Sequence, residues 1–428
     1  MHARQIAFVR SVATVFASAM IWMLLTQSAQ AQTFAVLHNF TGAADGASPM
    51  AGVTLDRAGN LYGTASAGGL GYGAAFKLAH SGSGWTFNSL YQFQGGADGA
   101  IPMAALVFGP DGSLYGTTQI GGNNTCTYVG GETGCGTVFN LKPSPTRSKT
   151  VLSPWLESVI YRFTFWTDGA QPLSEVIFDP AGNLYGTTFG GGENDAHDSP
   201  PGGGGCSYHC GVVYELSPSK GSWTESTLFQ FSEDSGANPF AGLIFDAAGN
   251  LYGITANEGA EGLGAAFKMT PSGSGWTENT LHNFQWAEGA SCLATPMMDA
   301  AGNLYAGNQG YSGYYGKYDG NAFRIGPDGD FFSLYAFAPD DGPYAGLTMD
   351  AAGNIYGTTP IGGANNYGSV FELTPSDGGW NYTSLHDFSG LDGCRPQGKV
   401  VIDAKGNLYG TASLCGTNGF GTIWEITP

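Results

Sequence analysis

The chain has 428 residues, 70 of them glycine, with 34 acidic against 15 basic side chains and a formal net charge of −19. That balance argues against nucleic acid and anionic membranes as partners, because phosphate binding needs clustered Lys and Arg. Glycine stands at about twice its usual share of roughly 7%, yet it recurs periodically, which argues against disorder.

The first 31 residues read as an address rather than as fold. Arg4 and Arg10 form a basic start, Val12 to Leu25 an apolar stretch, and Ala29-Gln30-Ala31 a small-residue cleavage site. This is the pattern of a secretory signal peptide over residues 1–31. No cysteine follows the site, so no lipoprotein anchor is expected. No second apolar run reaches membrane-spanning length, so no membrane insertion is expected. Residues 32–428 are expected to form one domain that is secreted or periplasmic. Their balance is 13 basic against 34 acidic residues, or −21.

From residue 34 onward the chain repeats itself. Gly59-Asn60-Leu61-Tyr62-Gly63 recurs with small changes at 112–116, 182–186, 249–253, 302–306, 353–357 and 406–410, with spacings of 53, 70, 67, 53, 51 and 53. Such a period, with no helical pattern, signals a β-propeller or solenoid. Each repeat holds four short strand-like runs, A to D, bounded by Gly, Asn, Asp and Ser. Run A is Val53 to Leu55 and its equivalents, and run B is the Leu-Tyr-Gly-Thr segment itself. Run C follows a glycine-rich loop, as at Ala75 to Leu78. Run D ends in Phe40, Phe93, Phe163, Phe231, Phe284, Phe337 and Phe388.

The phase of the repeat decides the topology. The first D run, residues 34–40, precedes any A, B or C, and the last repeat stops after run C at Pro428. A closed ring lets the N-terminal strand complete the last blade, which removes the exposed edges of a linear stack. The expected fold is all-β, a seven-bladed propeller of four-stranded blades. Asp56 to Asn60 and its equivalents predict A-to-B hairpins with a bulge at the glycine. Trp85, Trp223, Trp276 and Trp380 open strand D and are expected to cover the outer edge of the blades.

The D-to-A and B-to-C loops share one face, and the variation lies there. Repeat two carries a B-to-C insertion from Thr118 to Gly136, and repeat three one from Thr188 to Gly211. Variable loops on a rigid scaffold are where binding residues gather, so the site is expected on this face near repeats two, three and five. Three constellations stand out. Asp45, Asp98, Asp168, Asp234, Glu288, Asp341 and Asp392 precede run A. Turn chemistry accounts for them. The sharper alternative is a carboxylate ring at the channel mouth holding calcium, which favours oxygen ligands. Trp166, Trp286, Tyr128, Tyr311, Tyr314, Tyr315 and Tyr318 are aromatic among glycine and polar residues. They suit sugar stacking or an interface hot spot, against loop packing as the bland alternative. Cys206-Ser207-Tyr208-His209-Cys210, with His197 and the acids Glu193, Asp195 and Asp198, has zinc-ligand types. An exported chain favours a local disulfide there instead.

The other cysteines pair by proximity as Cys126 with Cys135 and Cys394 with Cys415, which leaves Cys292 as a free thiol. His38, His282 and His386 stand where other repeats have Tyr or Phe, so they are expected to substitute in packing. His-Glu-x-x-His, Gly-x-Ser-x-Gly and phosphate-loop signatures are missing.

The unit from "DGANPFAGLIFDAAGNLYGITANEG" through "GAAFKMTPSGSGWTENTLHNF" resembles the GloVer tandem repeat, over residues 34–428. That repeat occurs in exported bacterial proteins described as choice-of-anchor tandem-repeat GloVer-containing proteins. The resemblance implies a propeller and an exported location, and it brings no catalytic residues. Members often end in an anchor segment. This chain reads Trp424-Glu425-Ile426-Thr427-Pro428, so an unanchored protein is expected.

The sequence thus points to an exported, non-catalytic binding module, a monomer whose partner is a polysaccharide or a cell-surface protein. The competing reading is a propeller lyase or hydrolase with a metal held by loop carboxylates. Scarce histidine in these loops weighs against it, and a copper oxidase fits less well still.

Overall fold

The computed structural model describes residues 32–428, except 83, 124–125, 128–132, 145–154, 193–209, 274, 290–291 and 314–315, and without the side chains of 311–316. Seven antiparallel sheets account for the strands, and two 3-10 turns, Gly96–Asp98 and Trp286–Glu288, are the only helical segments among the described residues. Blade four shows the plan: Ile244–Phe245, Leu251–Ile254, Ala265–Ser272 and Gly275–Asn283 pair in chain order. The seventh blade departs as expected. Val401–Ile402, Leu408–Ala412 and Thr422–Thr427 are completed by Thr33–Asn39, with Thr33 opposite Thr427.

The repeated pentapeptide is explained atom by atom in the A-to-B hairpin. In blade four the Asp246 carboxylate accepts from Ala248 N and Asn250 N, both at 2.9 Å, from Asn250 Nδ2 at 2.7 Å and from Tyr252 OH at 3.1 Å. Gly249, at φ 83°, supplies the left-handed residue that the bulged turn requires. The tyrosine hydroxyl reaches the same aspartate in all seven blades, at 3.1 to 3.5 Å. The final glycine makes room for a ring from strand C: a β-carbon on Gly253 would lie 2.5 Å from Phe267 Cζ.

The phenylalanine ending strand D fastens one blade to the next. Phe40 meets Phe76, Phe93 meets Phe139, Phe163 meets Tyr214, and Phe231 meets Phe267, at ring centroid distances of 5.0 to 5.4 Å. Phe284, Phe337 and Phe388 repeat the contact with Phe323, Phe371 and Trp424. Edge-on aromatic pairs add roughly 0.5–1.5 kcal/mol each beyond the area they bury. The threonine after the pentapeptide's glycine bonds the next inner strand: Thr64 Oγ1 donates to Ala104 O at 2.8 Å and Thr187 Oγ1 to Ala241 O at 3.0 Å. Thr411 Oγ1 makes the equivalent bond to Ala51 O at 2.7 Å, from blade seven to blade one, and so closes the ring.

Two sequence expectations need correction. The strand-D tryptophans do not cover the outer edge. Trp85 packs on Tyr409, Trp223 on Tyr115 and Trp276 on Tyr185, each in the preceding blade. The tyrosine ring turns toward the blade interface because its hydroxyl is held by the hairpin aspartate, and the indole fills the space beside it. Repeat five also carries an added strand, Tyr311–Gly313, paired with Gly316–Ile325, where the sequence suggested loop only. Tyrosines favour extended backbone, and here they lengthen the hairpin.

Candidate functional site

The two loop sets do meet on one face. Isolated bridges join D-to-A and B-to-C loops within a blade, including Ala47 to Ala67, Ala170 to Gly190 and Cys394 to Leu414. The Cys394–Cys415 disulfide, with Cα atoms 5.3 Å apart, reinforces this junction in blade seven. Cys126–Cys135 closes the insertion of repeat two, at 5.2 Å between Cα atoms. Cys210 is disulfide-bonded, while Cys206, His197, His209 and the neighbouring acids lie outside the described residues. Cys292 is a buried free thiol, its pKa pushed up to about 12 by burial.

Five of the seven candidate carboxylates lock the D-to-A loop onto strand D. Asp98 Oδ1 accepts from Tyr91 OH at 2.7 Å and Asp168 Oδ2 from Tyr161 OH at 2.9 Å. The histidines play the same part: His38 Nε2 meets Asp45 at 3.0 Å, His282 Nε2 meets Glu288 at 2.8 Å, and His386 Nε2 meets Asp392 at 2.9 Å. Each of these carboxylates also accepts a backbone N–H from the loop, such as Thr164 N to Asp168 at 2.8 Å. The histidines stack as aromatic substitutes, as expected. His386 lies 3.5 Å from Phe34, centroid to centroid, and His38 lies 4.1 Å from Phe87. Burial lowers the His38 pKa, against the opposing pull of Asp45.

Asp234 does not belong to this set. The glycine that follows the acid in the other six blades is Gly236 here, so the repeat position falls on Ser235, whose Oγ accepts from Ser232 N at 2.9 Å. The ring donor is missing from the same blade, because Phe229 replaces Tyr or His. Asp341 lacks a ring partner as well; it accepts from Gly342 N at 2.8 Å, and burial raises its pKa. None of the seven acids is among the residues that line the central cavity. The loop travels from the outermost strand to the innermost, and the acid sits at its outer start. Among the described residues, no three His, Cys, Asp or Glu side chains gather as a metal site.

The aromatic candidates are better placed. Trp166 is 62% exposed and Trp286 37% exposed, both in D-to-A loops. Trp286 stands on the 3-10 turn Trp286–Glu288, whose Gln285 and Glu288 form a capping box. Its ring leans on Tyr318 at 5.2 Å and 41°. Tyr128, Tyr314 and Tyr315 lie outside the described residues, as does the side chain of Tyr311. Phe165, beside Trp166, holds φ at 89° where Gly42, Gly95 and Gly390 occupy the equivalent position with φ of 76°, 71° and 87°. A phenylalanine kept in this region stores strain of about 1–3 kcal/mol, and such outliers cluster at functional sites. Phe165 meets Trp166 edge-on, at 5.7 Å and 87°.

Sequence reasoning missed a second group. Tyr367, Phe420 and Tyr72 occupy one repeat position, before the glycine that opens strand C, in the consecutive blades six, seven and one. They are 43%, 43% and 44% exposed. Each ring lies on a glycine of the next D-to-A loop: a β-carbon on Gly95 would sit 2.6 Å from Tyr72, on Gly42 2.9 Å from Phe420, and on Gly390 3.3 Å from Tyr367. Nine of the eleven exposed large hydrophobic side chains among the described residues belong to this face; Leu156 and Phe332, on outer strands, are the exceptions.

A cavity of about 470 Å³ runs along the ring axis. It is lined by the inner strands and by the residues that lead into them from the loop face, including Met50, Met103, Leu173, Phe240 and Leu293.

A closed ring of seven antiparallel sheets around an axial cavity defines a seven-bladed β-propeller. The chain belongs to the family of the Gloeobacter/Verrucomicrobia repeat, whose pattern matches residues 22–199, 125–344 and 310–428. No curated protein matches the chain. Among solved structures, it is similar to a protein of unknown function from Dyadobacter fermentans DSM 18053, at 12% identity and TM-score 0.46, covering 93% of this chain and 100% of that one. It is also similar to a candidate oxidoreductase (glucose dehydrogenase) from Thermus thermophilus, at 15% identity and TM-score 0.41, covering 76% of this chain and 96% of that one.

Proposed function

We propose that this protein is an exported, non-catalytic binding module that holds a neutral polysaccharide on its loop face. The observation that carries this reading is the concentration of exposed aromatic side chains there, at Trp166, Tyr72, Tyr367, Phe420 and Trp286, the last leaning on Tyr318. Flat rings backed by glycine suit the apolar faces of sugar rings, and exposed apolar patches mark interaction surfaces. The acidic balance of the chain disfavours anionic polymers and leaves neutral ones. Export is supported by the pattern of residues 1–31 and by the disulfides, which persist in oxidising compartments.

Native electrophoresis through gels containing neutral glucans, mannans or xylans tests the proposal. Retardation of the wild type by one polymer, reduced in Trp286→Ala and in Tyr72→Ala, is the expected outcome. Equal migration in every gel would overturn it and turn attention to a cell-surface protein.

A further inference from the structure

The axial cavity breaks the sevenfold symmetry of the chain in one place. Before each inner strand the repeat reads as a residue, a small residue, and a second residue that faces the axis. The second position is small in four blades, as Gly52, Ala105, Gly242 and Gly346, and is Thr295 in blade five. In blades three and seven it is charged, as Glu175 and Lys399, and both line the cavity.

The two charges converge on blade five from opposite sides. A β-carbon on Gly242 would lie 3.2 Å from the Glu175 carboxyl carbon and 3.0 Å from Thr295 Oγ1. A β-carbon on Gly346 would lie 3.4 Å from Lys399 Cδ and 2.8 Å from Thr295 O. The glycines therefore open the space into which each charged chain lies. Among the described residues, neither Glu175 nor Lys399 forms an ion pair or a side-chain hydrogen bond. Thr295 Oγ1 is oriented by Gly242 N at 2.8 Å. The Tyr344 hydroxyl, also on the cavity wall and likewise without a hydrogen-bond partner among the described residues, has its pKa raised by burial. Blades one and two, across the ring from blade five, present the apolar Met50 and Met103, while Phe240 of blade four stands edge-on to Tyr344 at 6.0 Å.

Glu175 and Lys399 are part-buried on the cavity wall, and each can make a charge-assisted hydrogen bond to a group of opposite sign. An acid and an amine that converge on blade five, across the axis from Met50 and Met103, match a molecule with an ammonium, a carboxylate and a hydrophobic side chain. We propose that the axial cavity binds a small apolar aminocarboxylate, a hydrophobic α-amino acid or dipeptide, with its ammonium at Glu175 and its carboxylate at Lys399. The cavity volume lies within the range of about 300–1,000 Å³ usual for small-molecule sites. This site is separate from the aromatic loop face, and neither proposal depends on the other.

Isothermal titration of the purified protein with L-leucine, L-phenylalanine and L-leucyl-L-leucine tests it. Each ligand is paired with its N-acetyl and its C-terminal amide derivative. The expected result is binding by at least one free aminocarboxylate, with both capped forms weaker by about tenfold or more, the size of a lost charged hydrogen bond. Glu175→Gln should erase the penalty for N-acetylation, and Lys399→Met that for amidation, while unchanged melting temperatures show that both variants fold. Trp286→Ala should bind the aminocarboxylate as the wild type does, which separates this outcome from that of the polysaccharide reading. Absence of heat with every free ligand would overturn the proposal. So would capped forms that bind as well as free ones.

Discussion

Phe165 offers a test in which stability and function move apart. Its φ of 89° is held by backbone bonds, with Phe165 N donating to Gly169 O and Phe165 O accepting from Gly192 N, both at 3.0 Å. An L-residue in the left-handed region costs roughly 1–2 kcal/mol that glycine does not incur. Phe165→Ala removes the half-buried ring and keeps the backbone cost. Phe165→Gly removes both, while its unfolded chain gains about 0.5–1 kcal/mol of entropy. The glycine variant should therefore be the more stable of the two by up to about 1 kcal/mol, the reverse of the usual order. Urea denaturation followed by fluorescence measures the pair. Both variants should also lose polysaccharide retention, because Trp166 loses its edge contact at 5.7 Å. An alanine variant as stable as glycine or more so would refute the claim of backbone strain. Retention unchanged in both would refute the functional use of that strain.

Further outcomes are expected. Gly253→Ala should destabilise by about 1–3 kcal/mol through overpacking, since its β-carbon would meet Phe267 Cζ at 2.5 Å and Leu243 Cδ2 at 2.9 Å. Gly249→Ala, with no atom within 4 Å of its β-carbon, should cost only the backbone term of about 1 kcal/mol, and a paired urea titration separates the two. Acid should destabilise the protein. Partial burial pushes the carboxyls of Asp246, Asp299 and Asp350 up, but hydrogen bonds from Asn250, Asn303, Asn354 and their neighbours outweigh it and hold them below the usual value. That stability is present above the unfolded pKa of about 3.9 and is lost as pH falls through the lower folded values. Thermal melts should therefore drop steeply below about pH 4, and the drop should shrink in Asp246→Asn. Glu225 runs the other way: burial, then the Asp168 charge, pushes it up to about 6. Its contribution worsens as pH rises from its unfolded value through the folded one, so Glu225→Gln should raise the melting temperature at pH 7 and have little effect at pH 4. Deleting residues 33–39 should leave Thr422–Thr427 as an open edge and expose Trp424, with aggregation seen by light scattering.

The repeat made the ring and its closure legible, because Phe93, Tyr62, Asp56 and Thr64 each recur for one physical reason in nearly every blade. Trp166 and Trp286 were legible because they interrupt polar loops. Asp234 misled because it stands one residue before the repeat position, and only the glycine that closes that position, Gly236, reveals the register. Tyr72, Tyr367 and Phe420 were hidden because the same position holds Cys135, Cys210 or Leu263 elsewhere, so no motif marks it. Glu175 and Lys399 were hidden for the opposite reason. Each occurs once, beside inner strands only two residues long, and only superposition of all seven repeats shows them as exceptions.

The measurement that bears most directly on the central claim is a glycan-array screen of the purified protein beside Trp166→Ala/Trp286→Ala and Tyr72→Ala/Tyr367→Ala/Phe420→Ala variants of unchanged melting temperature. The loop-face account predicts that the wild type binds neutral glycans and that both variants lose the signal. Wild-type protein that binds no glycan, or variants that bind as well as it does, would contradict the account.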